Sequence, residues 1–372
     1  MWNPRYAISP KLLRNIKQIT TVIADLNNRV VPRIIFFDFE RRAREVSAYA
    51  STSIEGNPLP LTEVKRILKQ QPLHIRDSEK EVLNYNRILT ELNKEISSKK
   101  GAIFDKKNIL HIQKEVTKGL ISPFHNGKLR KEPVVVNDPR QRRVIYLPPD
   151  HKDVPGLMNE LIQFIHTNED ILDPLIIAGI FHRQFVIIHP FIDGNGRTAR
   201  LATKVVLAKM GLDTFNLFSF ENYYNKNISQ YFEYVGLKGN YYDINATIDF
   251  TEWLEYFTDG IIDELLRVKK ELESIGNTSS HLEKHHIELL LLLLKRGTLT
   301  DREYTKHTDR AKPTRNTDFN KLINLGLIER KGKGKASYYI FSDLQKWDVE
   351  LKKQMRGAKK YTSIEKFLKS LR

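Results

Sequence analysis

The chain has 372 residues, 40% of them hydrophobic, which is enough for two or three domains with substantial cores. It contains no cysteine, which excludes a disulfide framework and any thiolate metal site. Its net charge is +16, and the excess is uneven: residues 281–372 hold 22 Lys/Arg against 11 Asp/Glu, a net +11, which points to nucleic acid more than to a membrane. The longest unbroken apolar run, Leu289 to Leu294, is six residues, too short to span a bilayer. Met1-Trp2-Asn3-Pro4-Arg5 lacks a signal-peptide pattern, and a cytoplasmic protein is the simplest expectation.

Apolar spacings of three and four predict a mainly α chain. Residues 11–26 carry Leu12, Leu13, Ile16, Ile19, Val22 and Ile23 at helical spacing; 40–54 follow, and Gly56-Asn57-Pro58 stops them. Residues 63–68, 78–96 and 105–121 continue the helical character. Residues 127–149 change period: Val134 to Val136 and Val144 to Tyr146, about Asn137-Asp138-Pro139, predict a β-hairpin. Helices resume at 154–166 and 174–188, then at 197–210 after a glycine-rich loop, then at 228–234 and 251–274. The polar stretch 275–280 marks a domain boundary. Beyond it, helices at 285–294, 300–307 and 314–325 and strands at 327–330 and 337–341 resemble a winged helix-turn-helix. The expected divisions are an N-terminal helical region, 1–103; a catalytic core, 104–274; the winged helix, 281–345; and a basic helical tail, 346–372.

The loop between the central helices reads His189-Pro190-Phe191-Ile192-Asp193-Gly194-Asn195-Gly196-Arg197-Thr198-Ala199-Arg200. Free N–H groups and the positive dipole end at a helix start bind phosphate. Gly194 and Gly196 lack a Cβ and allow close backbone approach, Asn195 completes the cradle, and Arg197 and Arg200 share one helical face. Their forked donors suit β- and γ-phosphate oxygens. His189 is the general-base candidate. Asp193 is a carboxylate at a phosphate site, where Mg²⁺ enters through one or two protein oxygens; a helix cap is its other reading.

This segment resembles the signature H-P-F-x-D-G-N-G-R-x-x-R of the Fic family, and all nine fixed positions agree. At about one in twenty per position, chance agreement is on the order of 10⁻⁹, so the resemblance is specific. It extends from about Ser51 to about Gly260 and implies a Fic-type helical core with a β-hairpin flap. Fic enzymes typically move AMP from ATP to a hydroxyl of a target protein. The resemblance assigns His189 as base, Asp193 as the Mg²⁺ ligand, and Gly194, Asn195, Gly196, Arg197, Thr198, Ala199 and Arg200 to ATP. Gly196 sets the chain apart from the related Doc branch, where a lysine usually stands, and favours nucleotidyl over phosphoryl transfer. Pro190 and Phe191 hold the loop from below.

Gly127-Lys128-Leu129-Arg130 and Val144-Ile145-Tyr146-Leu147-Pro148-Pro149 resemble the family's flap, which implies that Val144, Ile145 and Tyr146 cover the nucleotide and that the edge pairs with the target. An ordinary surface hairpin is the other reading. Asn227 and Tyr231 resemble the adenine-side segment or are a cap and a core residue; Phe232 stands where the family often has Tyr. Ser51-Thr52-Ser53-Ile54-Glu55-Gly56-Asn57 resembles the family's inhibitory motif, in which Glu55, one helical turn after Ser51, pairs with Arg200 and leaves ATP in an unproductive pose. The implied function is autoinhibited AMP transfer to a target or to the chain itself. Two alternatives stay open: a DNA-binding regulator whose core senses nucleotide, and AMP removal with Glu55 positioning a water.

In a winged helix the third helix enters the major groove, which nominates Arg315, Asn316, Asn320 and Lys321, with Lys331, Lys333 and Lys335 at the hairpin tip tracking phosphate. A protein-binding or dimerising winged helix is the competing reading, and a homodimer is open. His281, His285 and His286 read as a solvated helix start, with no third metal ligand in reach.

Overall fold

The computed structural model describes residues 2–28, 33–70, 75–96, 104–138, 143–209, 216–278, 283–324, 327–332 and 334–341. It is mainly helical and divides into two compact units, Met1–Val31 with Phe39–Glu271, and Pro32–Asp38 with Leu272–Arg372. No helix among the described residues is long and apolar enough to cross a membrane.

In the first unit the helices are α1 (Pro10–Asn28), α2 (Arg33–Ile54), α3 (Leu61–Gln70), α4 (Asp77–Ile96) and α5 (Lys106–Val116). After the strands β1 (Val136–Asp138) and β2 (Arg143–Leu147) come α6 (Val154–Asn168), α7 (Pro174–Ile188), α8 (Asn195–Lys209), α9 (Phe220–Lys226) and α10 (Ile228–Val235). The short β3 (Gly239–Asn240), α11 (Tyr241–Ile244) and the long α12 (Thr251–Thr278) follow, and the first unit takes α2 from Phe39 onward and α12 as far as Glu271. The sequence supplies the caps. Asp105 accepts from the Asn108 amide at 2.7 Å to start α5, and Asp173 accepts from Leu175 at 2.9 Å with Pro174 in the first turn of α7.

Helix α7 is apolar all round and correspondingly buried from Leu175 to Phe181 and again at Phe185, Ile187 and Ile188. It packs on α6 and α8, and α8 packs in turn on α4 and α5. Trp253 of α12 is fully buried and donates its indole N–H to the Gly179 carbonyl of α7 at 2.7 Å. These contacts fix the α7–α8 junction, where the signature lies. The N-terminal helices, expected as a region apart, belong to this same unit: Ser47 and Ser51 of α2 and Tyr85 of α4 are buried against α8 and α9.

The hairpin is shorter than expected. Strand β1 begins at Val136, so Val134 and Val135 stay outside it. Val136 opposes Tyr146, and one residue past Leu147 the partner strand meets Pro148-Pro149, which have no N–H for a ladder. A register shift lies between Val136 and Asn137. Strand β2 also pairs in parallel with β3, Tyr146 opposite Gly239, which sequence reading missed because two residues carry no period. The polar stretch 275–280 is not a linker as far as Thr278: α12 runs through it. Extending an existing helix needs no new nucleus, and one glycine does not stop it.

The second unit holds α13 (Lys284–Arg296), β4 (Thr298–Leu299), α14 (Asp301–Tyr304) and a 3-10 turn, α15 (Lys312–Asn324), β5 (Ile328–Lys331) and β6 (Tyr338–Phe341). Its strand order is β4-β6-β5, all antiparallel. Leu289, Leu290, Leu293, Leu299, Phe319 and Leu322 form its core, and Phe319 stacks on Tyr339 with centroids 3.8 Å apart. Thr300 and Glu303 close a capping box at the start of α14. Lys333 and the tail 346–372 lie outside the described residues, as does the side chain of Lys335.

Candidate active site

The chain leaves α7 at His189 with φ 49 and ψ 60, in the left-handed region. Among the described residues no other non-glycine has positive φ. Such a backbone is uncommon in a residue with a Cβ and persists only where the surroundings impose it. Here they do. Buried Arg130 donates Nε–H to the His189 carbonyl at 2.8 Å and its backbone N–H to Pro190 at 2.9 Å, and also reaches the Pro149 and Ile188 carbonyls. Tyr146, itself buried, donates to the Ile187 carbonyl at 3.0 Å. Arg130 thus fastens the signature to the hairpin, a role sequence reading did not give it.

His189 Nδ1 lies 3.3 Å from the Val186 carbonyl. Donation there places the proton on Nδ1 and leaves the Nε2 lone pair available as a base. Burial pushes the His189 imidazole below its ordinary value, which the Val186 bond and Glu55 oppose.

The loop braces itself. Asn195 accepts from the Phe191 amide and donates to the Phe191 carbonyl, both at 2.9 Å, while Phe191 is fully buried. The Asn195 side chain, expected in the anion cradle, therefore closes the loop. Gly194 caps α8 with φ +81, and a Cβ there would also press on Thr117. The first intrahelical bond runs from Thr198 to Gly194, so the amides of Asn195, Gly196 and Arg197 precede it and point out of the helix end. Thr198 and Ala199, between the arginines, are fully buried.

The end of α2 faces this helix start. The Asn57 amide donates to Thr52 at 3.1 Å and the Gly56 amide to Ser53 at 2.9 Å, with Gly56 at φ +95; this Schellman arrangement makes Glu55 the C-cap residue. A carboxylate at its own helix C-terminus is disfavoured by the dipole, but at the N-terminus of α8 it is favoured. Glu55 Oε1 accepts from Arg200 Nη2 at 2.6 Å. It also lies where a Cβ on Gly196 would stand. The Arg200 guanidinium is completely buried and further donates to Ser51 Oγ at 2.7 Å and the Ser51 carbonyl at 2.8 Å. Arg197 is also buried; its Nη2 donates to both Asp193 oxygens at 3.0 Å, and its Nη1 pairs with Glu81 of α4. A cavity of about 310 Å³ opens beside these groups, lined among others by Glu55, Glu81, Asp193 and Arg197. Glu81 carries no local sequence signal: it is an ordinary helical glutamate brought to Arg197 only by packing.

The remaining nominations separate. Tyr231 is a core residue: its ring stacks on Tyr224 with centroids 4.7 Å apart, and its hydroxyl meets His182 Nε2 at 3.1 Å and Arg200 Nη1 at 3.5 Å. Burial requires a phenol to satisfy its O–H, and these partners do so; at 2% exposure, with Tyr224 stacked on it, the ring presents no open face to adenine. Asn227 sits at the α9–α10 junction and donates to the Tyr223 carbonyl at 2.9 Å, which is the cap reading. Val144 is exposed and Ile145 half-buried on β2, whereas Tyr146 turns inward.

In the second unit Arg315 is the clear correction. It is buried and grips both Asp301 oxygens at 2.8 and 3.0 Å, so it does not offer its guanidinium to a nucleic acid. Its neighbours on α15, Asp318 and Phe319, face the same interior, as helical spacing dictates. Asn316, Asn320 and Lys331 are exposed, and Lys321 is half-buried. The histidines at the start of α13 also differ from expectation. His281 lies outside the described residues, but His286 is buried, and His285 and His286 meet a third potential ligand in Asp318. A metal is nonetheless a poor fit. The Glu283 amide donates to His286 Nδ1 at 3.1 Å, which requires the neutral ring's proton on Nε2, the nitrogen a metal would need, and Arg310 already pairs with both Asp318 oxygens.

Residues 103–207 match the model of the Fic/DOC family. A protein adenylyltransferase Fic of Nematostella vectensis is 30% identical over 206 residues, 54% of this chain and 44% of that protein. One of Aedes aegypti is 30% identical over 176 residues, covering 46% and 34%. The matched region thus spans less than half the length of these curated relatives. A Fic family protein from Desulfovibrio desulfuricans G20 shares the fold with TM-score 0.62 and 20% identity, over 91% of this chain and 98% of that one. A Fic-domain signaling protein from Bacteroides thetaiotaomicron does so with TM-score 0.55 and 20% identity over 70% and 97%.

Proposed function

We propose that this chain, which carries a Fic/DOC-family domain, is an autoinhibited protein adenylyltransferase that moves AMP from ATP to a Ser, Thr or Tyr hydroxyl of a target protein or of itself. The observation that supports this reading is the convergence of His189, the outward amides of a helix start and two arginines on one loop, with the Glu55 carboxylate paired to Arg200.

In the reaction the acceptor oxygen attacks the α-phosphorus and His189 Nε2 takes the hydroxyl proton. The new oxygen–phosphorus bond forms as the bond from the α-phosphorus to the bridging oxygen breaks, and diphosphate leaves. The amides at the start of α8 receive the phosphate charge, and Arg200, once released, holds the γ-phosphate. The donor set also suits Mg²⁺: Asp193 is partly exposed at the cavity, and this ion binds through one or two carboxylates plus phosphates. When bound there, Mg²⁺ supplies charge neutralisation for the departing diphosphate. Strand β1, the edge of the order β1-β2-β3, would receive an extended target segment by strand addition.

Glu55 restrains the enzyme by holding Arg200 in its salt bridge, so that ATP binds without its γ-phosphate partner. The second unit, in this account, is a winged helix whose exposed Asn316, Asn320 and Lys331 meet DNA. The catalytic assignment is tested by His189→Ala in a Glu55→Gly background. Label transfer from α-labelled ATP should fall by roughly 10²–10⁴, the usual contribution of a positioned base, with ATP affinity retained. Unchanged transfer would remove His189 from the reaction.

A further inference from the structure

Arg197 is shared between two carboxylates. One is Asp193, four residues before it, which accepts at 3.0 Å through both oxygens. The other is Glu81, which pairs with Nη1 from across the domain. Glu81 is itself held: its second oxygen accepts from Asn57 Nδ2 at 2.7 Å, and Asn57 is fixed by donating to the Ser78 carbonyl at 2.8 Å and accepting from the Leu59 amide at 3.1 Å. The Arg197 and Glu81 side chains are 4% and 15% exposed, whereas Asp193 is 44% exposed at the cavity.

This asymmetry has a consequence for the metal. Arg197 Nη2, bridging both Asp193 oxygens, competes with any cation for them. A buried guanidinium does not give up a carboxylate unless another remains, because an unpaired buried charge is strongly disfavoured. Glu81 is that other partner, and Asn57 keeps it in place. We propose that Glu81 is a positioning residue for the divalent metal: it retains Arg197 so that Asp193 can turn its oxygens to the ion. It acts through Arg197 and touches neither nucleotide nor metal. The proposal rests on the adenylyltransferase reading, which assigns the metal to Asp193.

The test uses the full chain with Glu55→Gly, Mn²⁺ as the probe followed by electron paramagnetic resonance, and α,β-methylene ATP as an uncleavable nucleotide. Glu81→Gln should weaken Mn²⁺ binding roughly tenfold, the lower end of what is lost when a residue orienting a metal ligand is removed. Metal-free affinity for the analogue should stay unchanged, which also shows that the fold is intact, and Glu81→Asp should recover part of the loss. In an Arg197→Ala background the effect of Glu81→Gln should vanish. Undiminished Mn²⁺ affinity in Glu81→Gln would overturn the proposal, as would an equal loss with Arg197 absent, since the carboxylate would then act by charge alone. If the Glu55→Gly parent binds no Mn²⁺ with the analogue, the adenylyltransferase reading fails, and this role with it. Binding in the parent that Glu81→Gln leaves intact removes only the role of Glu81.

Discussion

A left-handed backbone at His189 costs about 1–3 kcal/mol, and Arg130 and Tyr146 hold the carbonyls around it so that the ring stays aimed. The same burial that fixes the ring lowers its basicity. In the proposed reaction His189 must be deprotonated to act as base, so that reaction requires a pH above the His189 value. With Glu55 gone, one influence that raises this value is lost as well. For Glu55→Gly, kcat/KM against pH should show an acid limb with a midpoint below about 6.5, the ordinary histidine value. A midpoint at or above that value would contradict the burial argument. His189, the glycines and both arginines were legible as one group in the sequence because they fall within twelve consecutive residues. Glu81 and Arg130 were not, since their partners are distant in sequence and are reached only through the packing of α4 and the hairpin.

At the scale of elements, periodicity located the main helices, because each buries one apolar face or, in α7, nearly all of them; α7 has the expected bounds, whereas α2 starts at Arg33 rather than 40 and α5 ends at Val116 rather than 121. It was blind to β3 and β4, two residues each, and it overextended the first hairpin strand past the point where its partner can hydrogen-bond. On α15 it named the element but not the face. Arg315 reads as a groove contact by charge, yet its ion pair with Asp301 ties α15 to α14. Arg315→Ala should therefore lower the stability of the second unit by about 1–2 kcal/mol, seen as a shift in the calorimetric transition of the full chain, and leave the salt dependence of DNA binding unchanged. Lys331→Ala should reduce that salt slope by about one, as loss of a phosphate contact does. Salt-insensitive binding, or none, would assign this surface to a protein partner.

For the whole molecule, the uneven charge is the sequence feature that maps most directly onto its architecture. The +11 of residues 281–372 falls in the second unit, while the signature loop and Glu55 lie in the first. The proposed restraint is a tertiary arrangement: the C-terminus of α2 presents Glu55 to the N-terminus of α8, and each helix end supplies what the other lacks. That motif was readable as a resemblance, but the physical reason for the pairing, a C-cap carboxylate stabilised by a foreign helix start, belongs to the fold. The most direct test is the intact mass of the wild-type chain, Glu55→Gly, and Glu55→Gly with His189→Ala after incubation with Mg²⁺ and ATP. Freeing Arg200 should raise AMP incorporation roughly tenfold or more, the equivalent of one charge-assisted bond, with little adduct in the wild type and none in the double variant. A folded Glu55→Gly chain that binds ATP yet modifies neither itself nor a supplied protein extract more than the wild type would contradict the account.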